Sequence, residues 1–166
     1  MKIIGINLSN NPNSINLKLL TKVIDNLGGE VIDFSLTDFP LFKPGIETPD
    51  SLDQLADKIK SADKIIFTTN EYNGSYSAFG KNLLDWISTL GSFDGSKKVT
   101  PLTGKHTFVM AAAPGPIGGL RAIPLTQTLL TELGCVIMGS FATTGGFNDN
   151  FDYTNVFKLT TEFKNK

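Results

Sequence analysis

The sequence holds one cysteine and one histidine, and 15 lysines and arginines against 16 acidic residues leave a formal charge of −1. Each scarcity removes a class of function. With Cys135 alone, no intrachain disulfide and no cysteine-built metal cluster can form, which fits a reducing compartment. Cys135 opens an apolar run and reads as a buried, inert thiol. His106 stands beside Lys105 at the start of another run, a surface position, and no Gly-x-Ser-x-Gly elbow occurs, so a Ser-His-Asp hydrolase is not expected. Near neutrality argues against nucleic acid or an anionic membrane as a main partner. Nowhere are there the roughly 18 apolar residues of a membrane span. Met1-Lys2-Ile3-Ile4-Gly5-Ile6 is too short an apolar stretch for a signal peptide, and the expected location is the cytoplasm.

The 166 residues, 40% hydrophobic and 19% charged, suit one domain, 1–166, with a proper core. Short apolar runs alternate with helical spacing from end to end. Ile3 to Leu8 precedes Leu17, Leu20, Ile24 and Leu27, a helix with Ser14 as N-cap and Gly28-Gly29 at its end. Val31 to Phe34 precedes Leu52, Leu55, Ala56 and Ile59, with Pro49 at the first helical position. Lys64 to Thr69 precedes Leu83, Leu84, Ile87 and Leu90; His106 to Ala113 precedes Leu125, Leu129, Leu130 and Leu133. Cys135 to Met138 precedes a last helix through Val156, Phe157 and Phe163, capped by Asp152. Such alternation gives βαβ units, an α/β protein with a parallel sheet. Segment 35–48, with Pro40, Pro44 and Gly45, reads as a mobile surface loop. Its Leu36, Phe39, Leu41 and Phe42, with Phe79 and Trp86 further on, exceed what a solvated loop requires, so they predict either an interface or packing back onto the core.

Three loops after apolar runs carry the polar and glycine residues. Ser9-Asn10-Asn11-Pro12-Asn13-Ser14-Ile15-Asn16 offers hydroxyls, amides and the amino end of a helix, a setting for a phosphate or for a simple Asx turn. Asn70-Glu71-Tyr72-Asn73-Gly74-Ser75 combines acceptors, an amide, an aromatic face and a glycine that lets a flat ligand approach. Pro114-Gly115-Pro116-Ile117-Gly118-Gly119 has three glycines in six residues.

Glu71-Tyr72-Asn73-Gly74-Ser75, followed by Lys81-Asn82 and Asp85-Trp86, resembles the signature of the NADPH-dependent FMN reductases, relatives of chromate, quinone and azo-dye reductases. Ala113 to Arg121 looks like that family's glycine-rich loop, and Ser14-Ile15-Asn16 matches its first loop more weakly. The resemblance implies a flavodoxin-like three-layer sandwich with a five-stranded parallel sheet in the order 2-1-3-4-5, whose ligands bind beyond the carboxyl ends of the strands. It implies noncovalent FMN, with NADPH or NADH as donor. A nicotinamide would stack on the flavin and pass hydride to it, and a small acceptor such as a quinone, flavin, azo compound or metal oxyanion would then take the electrons. The cofactor-binding set implied is Ser9, Asn11, Ser14, Ile15 and Asn16 for the phosphate; Asn70, Glu71, Tyr72, Asn73 and Gly74 for the ring and its tail; and Pro114, Gly115, Gly118 and Gly119 for the pyrimidine edge. No side chain is assigned as catalytic acid or base, and no metal is expected.

Three positions depart from the family pattern. Its phosphate-loop arginine is Asn11 here, its leading proline is Asn70, and its later proline is Ser77, which predicts weaker phosphate binding and a less rigid loop. Lys81, Asn82, Asp85 and Trp86 are expected to fix their helix or a subunit contact, and Arg121 to serve an interface or a cofactor. The competing readings are a flavodoxin-type one-electron carrier, against which the −1 charge argues, and a degenerate interaction or regulatory module. The family also implies a homodimer or homotetramer.

Overall fold

The computed structural model describes residues 1–34 and 39–166, with the backbone alone at residue 97. In chain order the elements are β1 (Ile3–Asn7), α1 (Ile15–Leu27), β2 (Glu30–Ile32), α2 (Ser51–Ser61), β3 (Lys64–Thr68), β4 (Glu71–Tyr72) and β5 (Ser75–Tyr76). There follow α3 (Ala78–Thr89), β6 (Ser92–Asp94), β7 (Lys97–Val99), β8 (His106–Ala111), α4 (Ala122–Glu132), β9 (Val136–Ala142) and α5 (Thr154–Asn165). Five strands form one parallel sheet in the order β2-β1-β3-β8-β9, the flavodoxin-like arrangement expected.

Successive side chains of a strand face opposite ways, so a central strand apolar at every position must be covered twice. Ile4 and Ile6 of β1 and Ile65 and Phe67 of β3 pack with α2, α3 and α4, through residues such as Leu55, Ile87 and Ile123. Ile3, Ile66, Phe108 and Met110 pack on the other face against Leu20 and Ile24 of α1 and Val156 and Phe163 of α5. The chain leaves β1 outward to β2 and returns to β3 on the other side of β1, which brings the loops after β1 and β3 together at the reversal point.

At the opposite end of the sheet, lysines hold the helix termini. Lys64 Nζ donates to Phe163 O and Lys164 O at 2.7 and 2.9 Å, Lys105 Nζ to Lys60 O and Ala62 O, and Lys164 Nζ to Leu27 O. These are the carbonyl ends of α5, α2 and α1, where a cation meets the negative pole of the helix.

Ser14 caps α1 and Gly28 ends it at φ 70°, as the spacing predicts. Other boundaries move. Pro49 lies two residues before α2 and accepts from Leu52 N instead of occupying the first helical position. The strand expected at Val31 to Phe34 spans Glu30–Ile32. β8 stops at Ala111, not Ala113, because Asn16 takes both backbone groups of Ala112 and Thr143 Oγ1 takes Ala113 N. β9 begins after Cys135 and runs on to Ala142, since Gly139 lies against the Phe108 ring and continues the pairing where an apolar run seemed to end. Leu125 is exposed, and the buried stripe of α4 is Ile123, Thr126 and Leu130. Asp152 meets the start of α5 through Thr154, whose hydroxyl and backbone N–H hold the carboxyl below its ordinary range.

The segment read as a mobile loop is pinned from Phe39 onward. Trp86 Nε1 and Asn82 Nδ2 donate to Pro40 O at 2.8 and 3.1 Å, and Phe42 N donates to Asn82 Oδ1 at 2.7 Å. Phe39 is buried, and Phe42 meets Trp86 edge-on at 5.2 Å. Asn82 and Trp86 therefore hold this strap, and Lys81 pairs with Asp85 one turn along. Of the aromatic and apolar residues that suggested an interface, Phe39, Phe42, Phe79 and Trp86 fold back, Leu41 stays exposed, and Leu36 lies outside the described residues.

Candidate functional site

The loop after β1 is a folded turn. Asn11 Oδ1 accepts from Asn13 N at 2.9 Å, Ser9 Oγ accepts from Asn11 N at 3.3 Å, and Ser14 N donates to Asn11 O. This Asx turn delivers the chain to Ser14, whose side chain accepts from Leu17 N. The amides of Ile15 and Asn16 precede any intrahelical acceptor, and the first turn of α1 carries no acidic residue, so the positive end of the helix is unopposed. Asn16 is buried and spent on the scaffold: its amide donates to Ala112 O at 3.0 Å and accepts from Ala112 N at 2.7 Å. That pair ties α1 to the end of β8.

The loop after β3, read as a plain strand-to-helix connection, contains a hairpin. Asn73 and Gly74 stand at φ 52° and 79°, the two left-handed residues of a type I′ turn between β4 and β5. The Asn-Gly pair was the available signal. Ser77 is not a loose substitute for proline: its hydroxyl donates to Leu8 O at 2.9 Å while accepting from Gly80 N, fastening the start of α3 to the end of β1.

Glu71 links this hairpin to the glycine loop. Its carboxylate accepts from Arg121 N at 2.9 Å and from Arg121 Nη1 at 3.0 Å, so Arg121 clamps two loops of the site together. Within the glycine loop the three glycines differ. A Cβ on Gly118 would fall 2.3 Å from the Thr143 backbone, and one on Gly119 would fall 2.7 Å from Ala111 Cβ; both have positive φ. Those two glycines serve the packing of the loop, whereas a Cβ on Gly115 meets nothing within 4 Å.

Two cavities lie side by side, with Glu71 and Ala113 in the walls of both. The first, about 270 Å³, is lined by Ser9, Asn11, Ser14, Ile15, Asn16, Asn70, Tyr72 and Pro114 among others. The second, about 240 Å³, is lined by Gly115, Ile117, Gly118, Gly119 and Arg121. The implied residues of all three loops thus border these two adjoining cavities, together called the groove, apart from Asn73 and Gly74 at the hairpin tip. A larger hollow of about 690 Å³ lies beyond Asn13 and Ser14, between α1 and residues 147–153, but it includes none of the glycine loop and none of Asn70 to Tyr72. The chemistry therefore points to the smaller groove.

The residues lining the first cavity include no lysine, arginine or histidine. An anion there would rest on hydroxyls, amides and the helix end. Inside the same cavity wall, Asn70 is 6% exposed, and neither Oδ1 nor Nδ2 has a partner. Remote from the groove, burial pushes the Cys135 thiol up to about 12, so the free cysteine is inert as expected. Among the described residues no cluster of His, Cys, Asp or Glu could hold a metal ion, and no helix is long and apolar enough to cross a membrane.

A model of the family described as NADPH-dependent FMN reductase matches residues 1–149. The chain belongs to that family. The Escherichia coli K12 quinone reductase is 30% identical over 120 residues, 70% of this chain, and the matched stretch spans 60% of that relative's length. An NAD(P)H-dependent FMN reductase of Pseudomonas aeruginosa is 29% identical over 138 residues, 78% of this chain and 70% of its own. Among solved structures, FerB, a flavoenzyme NAD(P)H:(acceptor) oxidoreductase from Paracoccus denitrificans, superposes with a TM-score of 0.78 over 99% of this chain and 95% of its own, at 22% identity. At that identity the likeness to FerB speaks for the fold.

Membership of the FMN reductase family gives the departures their weight. The arginine expected at position 11 is an asparagine engaged in its own turn. If an anion sits at the amino end of α1, Asn11→Arg should tighten FMN binding by up to roughly tenfold to a hundredfold, through a charge-assisted contact that outweighs the lost turn bond. Fluorescence titration at low salt checks this, and an unchanged dissociation constant would place the phosphate elsewhere.

Proposed function

We propose that the protein binds FMN along this groove and acts as an NAD(P)H-dependent oxidoreductase on a small acceptor such as a quinone, free flavin, azo compound or metal oxyanion. The observation that carries the reading is the placement of unlike chemistries in two adjoining cavities: hydroxyl and amide donors at the amino end of α1 and the shielded amide of Asn70 in one, and the open backbone of Gly115 in the other. When bound, FMN supplies the hydride chemistry between nicotinamide and acceptor. The chain's own task is binding and orientation. Ser9, Asn11 and Ser14 with the amides of Ile15 and Asn16 would receive the phosphate, and Glu71, through Arg121, fixes the distance between the hairpin and the glycine loop. Tyr72, 53% exposed at the groove, would offer its ring as a stacking face. No side chain is needed as acid or base.

A homodimer or homotetramer belongs to the same proposal. Tyr72 and Ile117, exposed by 53 and 39%, border the groove, Leu120 near Ile117 in the chain is 53% exposed, and all three would be covered by a second copy that closes the acceptor site. Light scattering should give at least twice 18.0 kDa. For the cofactor, titration of apoprotein into FMN should quench flavin fluorescence with one-to-one stoichiometry. Absence of saturable quenching would remove the reading.

A further inference from the structure

We propose that Asn70 is a recognition group particular to this chain, unpaired in the free protein and turned onto the hydroxylated ribityl chain when FMN binds; the inference rests on the FMN reading above. Both amide atoms of Asn70 are shielded from solvent without a partner, and among the described residues no other buried side-chain nitrogen or oxygen is left so. The other buried amides are engaged. Asn7 Nδ2 donates to Ser9 O and Asp33 Oδ1 while its Oδ1 accepts from Thr68 Oγ1, and Asn16 is closed on Ala112.

An unpaired buried amide destabilises the free protein, so its presence in the wall of a ligand groove points to a partner that arrives with the ligand. Asn70 lines the cavity that also holds Ser9, Asn11 and Ser14, and it is absent from the walls of the cavity around Gly115. An FMN running from the amino end of α1 toward Gly115 would pass Asn70 between its phosphate and its ring. The ribityl hydroxyls would lie there, and each both donates and accepts, as a carboxamide does. Rotation about the Asn70 side-chain torsions would bring the amide from its shielded position toward the cavity.

The test uses Asn70→Leu, similar in size and apolar, titrated by fluorescence against FMN, riboflavin and lumiflavin, the last carrying a methyl group in place of the ribityl chain. The dissociation constants for FMN and riboflavin should rise about tenfold with that for lumiflavin unchanged, and the apoprotein should melt about 2–4 °C higher because the unpaired amide is gone. Equal losses for all three flavins would put the amide on the ring, no loss would leave it idle, and a lower apoprotein melting point would reveal a structural partner; each overturns the proposal. Should the leucine variant fail to fold, Asn70→Pro, the residue of the family pattern, serves in its place. Wild-type protein that binds none of the three flavins would instead overturn the FMN reading itself.

Discussion

Gly118→Val is expected to lower the stability of the protein by roughly 3 kcal/mol or more, whether or not a flavin is present. At φ +63° a side chain pays about 1–2 kcal/mol for the left-handed backbone, and its Cβ would fall 2.3 Å from the carbonyl of Thr143. Backbone on both sides cannot move aside like a flexible side chain, so overpacking adds roughly 1–3 kcal/mol. Gly118, implied for the pyrimidine edge by the family resemblance, is therefore a packing position, and valine there would disturb the fold itself. Gly115 differs, because a Cβ there meets nothing within 4 Å. Gly115→Val should leave the urea midpoint nearly unchanged, within about 0.5 kcal/mol, and weaken FMN at least about tenfold by filling the groove. Equal FMN affinity in Gly115→Val and wild type would show that the ring edge does not reach the glycine loop.

Asn16→Ala should cost roughly 2–5 kcal/mol, because it strands two buried backbone groups at once. Ala112 is 3% exposed, and both its N–H and its C=O are held by the Asn16 amide, 96 residues away in the chain. Chemical denaturation reads the loss directly. A loss below about 1 kcal/mol would mean that Ala112 finds other partners. Asn16 was assigned to the phosphate from the family pattern, and its side chain turns out to brace the groove, joining the amino end of α1 to the strand that carries the glycine loop.

What could be read without coordinates divides by range. The alternation of strands and helices, the caps at Ser14 and Gly28, and the three polar loops follow from periodicity and turn residues, which are local, whereas the sheet order came with the family resemblance. The hairpin at Asn73-Gly74 was equally local and was missed, because two-residue strands leave too little alternation to recognise beside a stronger helical pattern. The contacts that shape the site are of another kind. Glu71 with Arg121, Ser77 with Leu8, and Trp86 with Pro40 join residues 50, 69 and 46 positions apart, and nothing in their local sequence names the partner. For the same reason the aromatic residues between Phe39 and Trp86 suggested an interface, although most of them bury one another. Asn70 is the opposite case. Its departure from the family's proline was visible in the sequence, but only the structure shows that its amide has no partner.

Anaerobic stopped-flow mixing of the FMN-loaded protein with NADPH or NADH shows whether the bound flavin accepts hydride from a nicotinamide. The yellow flavin absorbance should bleach in a single phase without any added reductase and return on mixing with a quinone. Bound FMN that neither nicotinamide bleaches would make the protein a carrier that depends on another enzyme. Purified protein that takes up no FMN at all would leave an FMN reductase fold serving as an interaction module, and either result would contradict an NAD(P)H-dependent oxidoreductase working through bound FMN.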